Sequence, residues 1–361
     1  MNQHEKPSQA IKAAFSEWAL AKRGSENPQR QTNPVWAWLA ETRLWPHKSH
    51  ELAGAGSKQE PGWCFCRYGQ SETLLEDGRT VFIGGEHEDF YDPDFYIYND
   101  VTVFEDGRVS EVFGYPTTVF PPTDFHSATL LNGRIIIVGR LGYPEDRSED
   151  TTPAFVLRLD DFTIRELKTS GDQPAWMHEH SAKLDETGEA IICEGGVVTL
   201  YETGRTIENI ASWRLCLVTG AWSKVGEKPW SRWLLMRNDE SPNELWELSQ
   251  LSWAHKTKRE DQFSREIRQK LAARGHEVNA ELYEARYSPT VEVFEITEDS
   301  DDFRRHTVSY GRQKLRFDEQ YDAILLTAEC ALAVEEEKAL LEHYIAVFSE
   351  LEGVPYKTVK I

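Results

Sequence analysis

From Phe120 to Arg140 the chain runs Phe-Pro-Pro-Thr-Asp-Phe-His-Ser-Ala-Thr-Leu-Leu-Asn-Gly-Arg-Ile-Ile-Ile-Val-Gly-Arg. This stretch predicts a β-hairpin. His126 to Leu131 is one strand. Asn132-Gly133 is a two-residue turn, since Asn and Gly both tolerate the positive φ of a type I′ turn. Ile135 to Val138 is a run of β-branched residues, the pattern of a strand buried on both faces. Gly139 ends it.

Two further segments align with this hairpin. Upstream, Gln70 to Leu75 leads through Asp77-Gly78 to Val81-Phe-Ile-Gly-Gly85. Downstream, His180 to Leu184 leads through Thr187-Gly188 to Ile191-Ile-Cys-Glu-Gly-Gly196. The equivalent residues Ser71, Ser127 and Ser181 stand 56 and 54 positions apart. A near-constant period of this size marks an array of structural units. A second strand pair follows each hairpin: Val101–Val103 with Val109–Phe113, Phe155–Leu159 with Phe162–Leu167, and Trp213–Leu217 with Trp222–Val225. Each unit is therefore expected to be four short antiparallel strands. One such sheet cannot cover its own faces, so neighbouring sheets must stack.

A His-Ser-Ala-Thr strand, a turn, an apolar run ending in Gly-Gly and a later strand with an aromatic residue resembles the Kelch repeat. The resemblance spans residues 64–226, best in the second and third units. The first unit has Gln70 in place of His, the second ends in Gly139-Arg140, and Trp222 is the late aromatic of the third. The resemblance implies a mainly β fold, a Kelch-like propeller or partial propeller of four-stranded blades. It also implies that His126 and His180 hydrogen-bond neighbouring backbone, and that the loops after the Gly-Gly ends emerge at one face.

Outside the repeats the pattern changes. Residues 1–60 are expected to be an irregular, partly helical segment, with Ser8 capping a helix through Ile11 to Trp18 and Asn33-Pro34 opening a second. The repeat region is placed at residues 61–254, where Trp233–Met236 and Glu244–Leu248 suggest the hairpin of a degenerate fourth unit. Residues 255–361 are expected to form a small C-terminal α+β domain. Phe263, Ile267 and Leu271 mark a helix ending at Gly275, and Leu332 to Leu351 marks a long one. Strands are expected at Val291–Ile296, His306–Tyr310, Ala323–Thr327 and Tyr356–Ile361.

Composition limits what such a chain does. Hydrophobic residues make up 40% and aromatics 11% of 361 residues, which excludes a disordered chain. The net charge of −21 argues against nucleic acid and membrane surfaces as main partners. No stretch reaches the roughly 18 apolar residues of a membrane span. The beginning of the sequence lacks a basic segment followed by an apolar run, so no secretory leader is expected. With five cysteines, an odd number, the chain is expected to be cytoplasmic with free thiols. Cys64 and Cys66 lack the second pair of a zinc site, so neither a metal nor a cofactor is expected.

The most unusual segment follows the first Gly-Gly. Glu86, His87, Glu88, Asp89, Asp92 and Asp94 place one imidazole and five carboxylates within nine residues. It is a solvated acidic loop with aromatic anchors, a contact for a protein or ligand, or a site for a hard cation. His178 and His180 alternate, so on a strand they point to one face, as two ligands would; the Kelch-like role of His180 offers a structural alternative. Arg140 stands where a second Gly is expected, and with Arg67, Arg147 and Arg205 it offers forks for an anion. Glu86–Asp94, His178 and Arg140 are the candidate ligand- or partner-binding residues. No phosphate-binding glycine loop, dinucleotide fingerprint or nucleophile elbow is present. The expected function is a non-enzymatic binding module for a protein or peptide, such as a bacterial scaffold or immunity-type protein. The alternative is an enzyme acting on a small polar or sugar-like substrate in a propeller funnel. Kelch-like sugar epimerases and copper oxidases resembling galactose oxidase are of that kind, but the oxidase cofactor residues do not map onto this sequence.

Overall fold

A computed structural model describes residues 6–55, 61–87, 95–147, 151–200, 204–273, 275, 279–288, 296–298, 305–310 and 313–361. The chain divides into two compact units, Met1–Glu227 and Lys228–Ile361. Antiparallel sheets dominate the first, while the second combines one sheet with helices. No described helix is long and apolar enough to cross a membrane.

Among the described residues the first unit carries three larger sheets in sequence order, beside a three-stranded and a two-stranded one. The first contains Ser71–Leu74, Thr80–Ile83, Val101–Glu105 and Arg108–Gly114, with the short Gln29–Arg30 added at its edge. Ser127–Leu131, Arg134–Val138, Ala154–Arg158 and Ile164–Glu166 make the second. The third is Ser181–Leu184, Ala190–Glu194, Ala211–Cys216 and Ala221–Glu227, with Ser170–Gly171 running parallel to its last strand. Each four-strand run is an antiparallel meander, and each begins at the Ser of the sequence repeat. The Asn132-Gly133 turn has φ of 47° and 72°, the left-handed pair that the hairpin requires.

Alternation along the strands explains the stacking. Val81, Ile83, Val101 and Val103 of the first sheet share one apolar cluster with Ile135, Ile137, Phe155 and Leu157 of the second. The intervening Phe82, Phe104 and Val112 face the other way, into a cluster with Phe15, Trp36, Trp38 and Leu39. Those residues come from the helices Gln9–Trp18 and Pro34–Thr42, so the N-terminal segment caps the first sheet and belongs to the first unit. Ser8 Oγ accepts from the Ile11 amide at 3.2 Å, and Asn33 Oδ1 accepts from the Val35 amide at 2.9 Å, as the capping residues predict. A third helix, Pro46–Ala53, forms within the segment expected to be irregular and partly helical. Proline at its first position costs no hydrogen bond, and Gly54 ends it at φ 72°.

Neighbouring sheets are also tied by polar bonds that repeat with the sequence. His126 Nε2 lies 2.7 Å from Ser71 Oγ, and His180 Nε2 lies 2.9 Å from Ser127 Oγ. The partners are serine hydroxyls of the preceding sheet rather than backbone, because the Ser at the start of each first strand faces the next sheet's histidine. Two residues before each Ser, the Phe125 amide donates to the Gly69 carbonyl and the Glu179 amide to the Phe125 carbonyl, both at 2.8 Å. Gly69, Phe125 and Glu179 all adopt positive φ, of 61°, 48° and 57°. A non-glycine residue held there costs on the order of 1 kcal/mol, so the same local strain is maintained in successive repeats.

The second unit is built on a six-stranded antiparallel sheet. Its spatial order is Ile296–Glu298, Arg305–Tyr310, Gln313–Glu319, Ile324–Ala328, Ser231–Arg237 and Tyr356–Lys360. The helices Leu245–Thr257, Gln262–Ala272, Ala280–Glu284 and Val334–Glu352 complete it. Trp233, Leu235, Phe317, Leu326, Tyr344 and Phe348 lie in its core.

This corrects the expected fourth repeat. Trp233–Met236 is a strand, but its neighbours are Ile324–Ala328 and Tyr356–Lys360. Glu244–Leu248 is not its hairpin partner; it opens the helix Leu245–Thr257. Leu245, Leu248, Leu251 and Ala254 recur every three residues and are buried together, which a helix satisfies and an alternating strand does not. The expected boundary between residues 254 and 255 thus falls inside a helix. The remaining expected elements appear with ends shifted by one or two residues, except that residues 291–295 lie outside the described residues.

Candidate functional site

The ends of the second strands place the site. After Ile83 the chain turns through Gly84 at φ 57°, where an added Cβ would lie 2.0 Å from the Thr123 carbonyl oxygen. Only glycine permits so close a backbone approach. The Gly85 amide then donates to that carbonyl at 2.8 Å. One repeat later, Gly139 would clash with the Met177 carbonyl, and the Arg140 amide donates to it at 3.1 Å. The first two of these second strands therefore dock against the segment that opens the next sheet. Glu86 is brought to Asp124 in this way, and Arg140 is held beside the segment carrying His178.

Asp124 is the centre of the cluster and is fully buried, at 0% exposure. Its Oδ1 accepts from the Gly142 amide at 2.7 Å. Its carboxyl group also shares a hydrogen bond with that of buried Glu86. Burial pushes the Asp124 pKa up, opposed by the Gly142 and Glu86 hydrogen bonds and by the nearby His178 and Arg140. Two buried carboxyl groups this close disfavour each other's ionisation.

Arg140 and His178 flank the pair. Arg140 Nη1 donates to the Pro122 carbonyl at 2.7 Å and to Asp146 Oδ2 at 3.2 Å, and its guanidinium lies 4.9 Å from the Trp176 ring centroid. His178 is 3% exposed. Its Nδ1 lies 3.4 Å from Glu179 Oε1, while Nε2 has no hydrogen-bond partner among the described residues. A buried imidazole nitrogen left so costs on the order of 1–3 kcal/mol, which calls for a compensating ligand or function. Arg147 braces the far side, donating from Nε to the Leu141 carbonyl at 3.0 Å and from Nη2 to the Gly142 carbonyl at 2.8 Å. Burial lowers its pKa in spite of Asp124, Glu145 and Glu86 nearby.

Of the residues singled out in the sequence, Glu86, Arg140 and His178 converge here. His87 does not. It is next to Glu86 on a strand and so points to the opposite side, where its ring lies 6.0 Å from Trp45. Glu88, Asp89, Asp92 and Asp94 lie outside the described residues. His180 is spent on Ser127. Arg67 is a structural clamp: its guanidinium grips Asp100 at 2.5 and 3.0 Å and stacks 3.5 Å from the Tyr98 ring. Arg205 lies buried in the strand Arg205–Glu208 of a small sheet with Trp176–His178 and Val197–Leu200.

Sequence reasoning missed Asp124. The signal was available in the repeat register, which places Asp124 opposite His178 and Tyr68, three residues before each Ser. Among the described residues, no group of three His, Cys, Asp or Glu side chains is arranged to hold a metal ion. The cluster is suited to binding a polar group.

No family model matches the chain, and no curated protein matches it. A solved structure with some similarity is a fungal alcohol oxidase of the AA5 family, in complex with copper. It is 14% identical over 45% of this chain and 44% of its own, with a TM-score of 0.29.

Proposed function

We propose that the chain is a non-enzymatic binding module of scaffold type, acting in the cytoplasm on a protein or small polar ligand. In this reading the three meanders are Kelch-like blades of a partial propeller, and the cluster of Asp124, Glu86, Arg140 and His178 receives a polar group of the partner. Support for the blades comes from the 56- and 54-residue spacing of Ser71, Ser127 and Ser181 together with the His–Ser ties between sheets. The observation that carries the binding role is the buried Nε2 of His178, unpartnered among the described residues. A ligand oxygen or N–H there would satisfy it at a gain of about 1 kcal/mol or more.

Affinity capture from the source cells at near-physiological salt tests this. The wild-type chain is expected to retain a partner that His178→Gln loses by roughly fivefold or more, the equivalent of one hydrogen bond. Equal recovery with both chains would remove the cluster from the binding role.

The Glu86–Asp124 pair favours a second reading, an enzyme acting on a small polar or sugar-like substrate. A protonated carboxyl beside an imidazole is equipped for general acid–base work. This reading requires turnover of a panel of chromogenic sugars that Asp124→Asn reduces by about a hundredfold or more. Absence of turnover in the wild-type chain would discard it.

A further inference from the structure

The second unit contains a cleft of about 1240 Å³, lined along one side by the helix Leu245–Thr257. That volume is larger than most small-molecule pockets. The helix buries Leu245, Leu248 and Leu251 and turns Trp246, Ser249, Trp253 and Lys256 into the cleft. Trp246 is 55% exposed and Trp253 is 50% exposed. Tyr321 stands at 81% on the same cleft. An amphipathic helix ordinarily turns polar residues outward; here two tryptophans stand on the solvent side, and Trp246 leans on Phe263 with ring centroids 5.3 Å apart while remaining half exposed.

The charge around them has a sign. Six carboxylates and four lysine or arginine side chains line the cleft. The basic groups are already engaged. Arg237 bridges Asp239 at 2.7 Å and Glu352 at 3.1 Å, Lys256 meets Glu284 at 2.5 Å, and Arg286 meets Glu319 at 3.0 Å. Lys270 lies between two carboxylates, 3.7 Å from Glu244 and 3.6 Å from Glu247. One surplus carboxylate thus accompanies Arg237, and the other accompanies Lys270, where Glu247 adjoins Trp246 in sequence. Exposed indole faces next to carboxylates attract cations, most of all guanidinium.

We infer that this cleft binds a basic peptide segment of a protein partner, with arginine side chains seated on Trp246 and Trp253. The two tryptophans are seven residues apart on a helix, roughly 10 Å along its axis. A polyproline II peptide repeats on one side every three residues, roughly 9 Å apart, so an Arg-x-x-Arg spacing matches the platforms. The inference stands on the second unit alone and does not depend on the Asp124 cluster.

A fluorescein-labelled Arg-Pro-Pro-Arg-Pro-Pro-Arg peptide, titrated with the full chain at near-physiological salt, is the test. Binding is expected, with a Trp246→Ala/Trp253→Ala double variant weaker by about tenfold or more, as the loss of two cation–π contacts implies. The substitution leaves the net charge unchanged, so general attraction is held constant, and an unchanged circular dichroism spectrum shows that the double variant keeps its fold. Glu247→Gln is expected to weaken binding further from the wild type, and the Glu-Pro-Pro-Glu-Pro-Pro-Glu peptide is expected not to bind. Absence of binding by the arginine peptide, or equal binding to the double tryptophan variant, overturns the inference.

Discussion

His126 and His180 sit between sheets as neutral imidazoles. Burial lowers the pKa of His126 to about 3, with His180 adding to the effect, and that of His180 to about 4, with His178 adding to it. Both values lie below the roughly 6.5 of an unfolded histidine. The unfolded chain therefore binds protons first as pH falls. Their contribution to stability is full above about pH 6.5 and is lost as pH falls toward the folded values. At pH 5 each histidine is expected to have cost the fold about 2 kcal/mol. Asp124 runs the other way, since its raised pKa favours the fold at low pH and loses that advantage as pH rises through the folded value. Denaturant unfolding at pH 7 and pH 5 separates the two. In His126→Gln/His180→Gln, the amide can keep the bond to each serine but does not titrate. The wild type is expected to lose more stability between these pH values than this variant does, by a few kcal/mol. An identical pH slope in both would show that the two imidazoles are not held neutral.

At the scale of elements, local chemistry was legible wherever a residue's own conformation set the outcome. Asn132-Gly133 announces its turn, Ile135–Val138 announces a strand hidden on both faces, and Ser71, Ser127 and Ser181 each open a first strand in the structure. Glu86 and Arg140 could be singled out because they follow glycine ends. Their convergence could not be, since it depends on which sheet lies beside which, and Asp124 was passed over as one acidic residue before an aromatic one. The helix Leu245–Thr257 was hidden for a different reason. Trp246 and Trp253 put apolar bulk on its exposed side, which blurs the 3.6-residue pattern and leaves a short segment that resembles a strand. The residues that obscured the helix are the ones that line the cleft.

For the whole molecule, the decisive strand is Ser231–Arg237. In sequence it follows the last strand of the third sheet within a few residues, and its apolar content matches the repeats. Its ladder partners are Ile324–Ala328 on one side and Tyr356–Lys360 on the other, both far along the chain. Trp233 and Leu235 are 1% and 0% exposed only because those strands and the helix Val334–Glu352 supply the core around them. A chain ending at residue 254 would keep the strand and the following helix without that core, exposing two large apolar side chains worth roughly 1.5–3 kcal/mol each on burial and an unpaired strand edge. A chain ending at Glu227 carries neither, and retains the three sheets with their helical cap. The shorter chain is expected to be monomeric with one cooperative melting transition. The longer one is expected to bind a hydrophobic dye and to elute as aggregates on size-exclusion chromatography. A monomeric, dye-silent 1–254 beside an unfolded 1–227 would move the boundary back to the end of the helix.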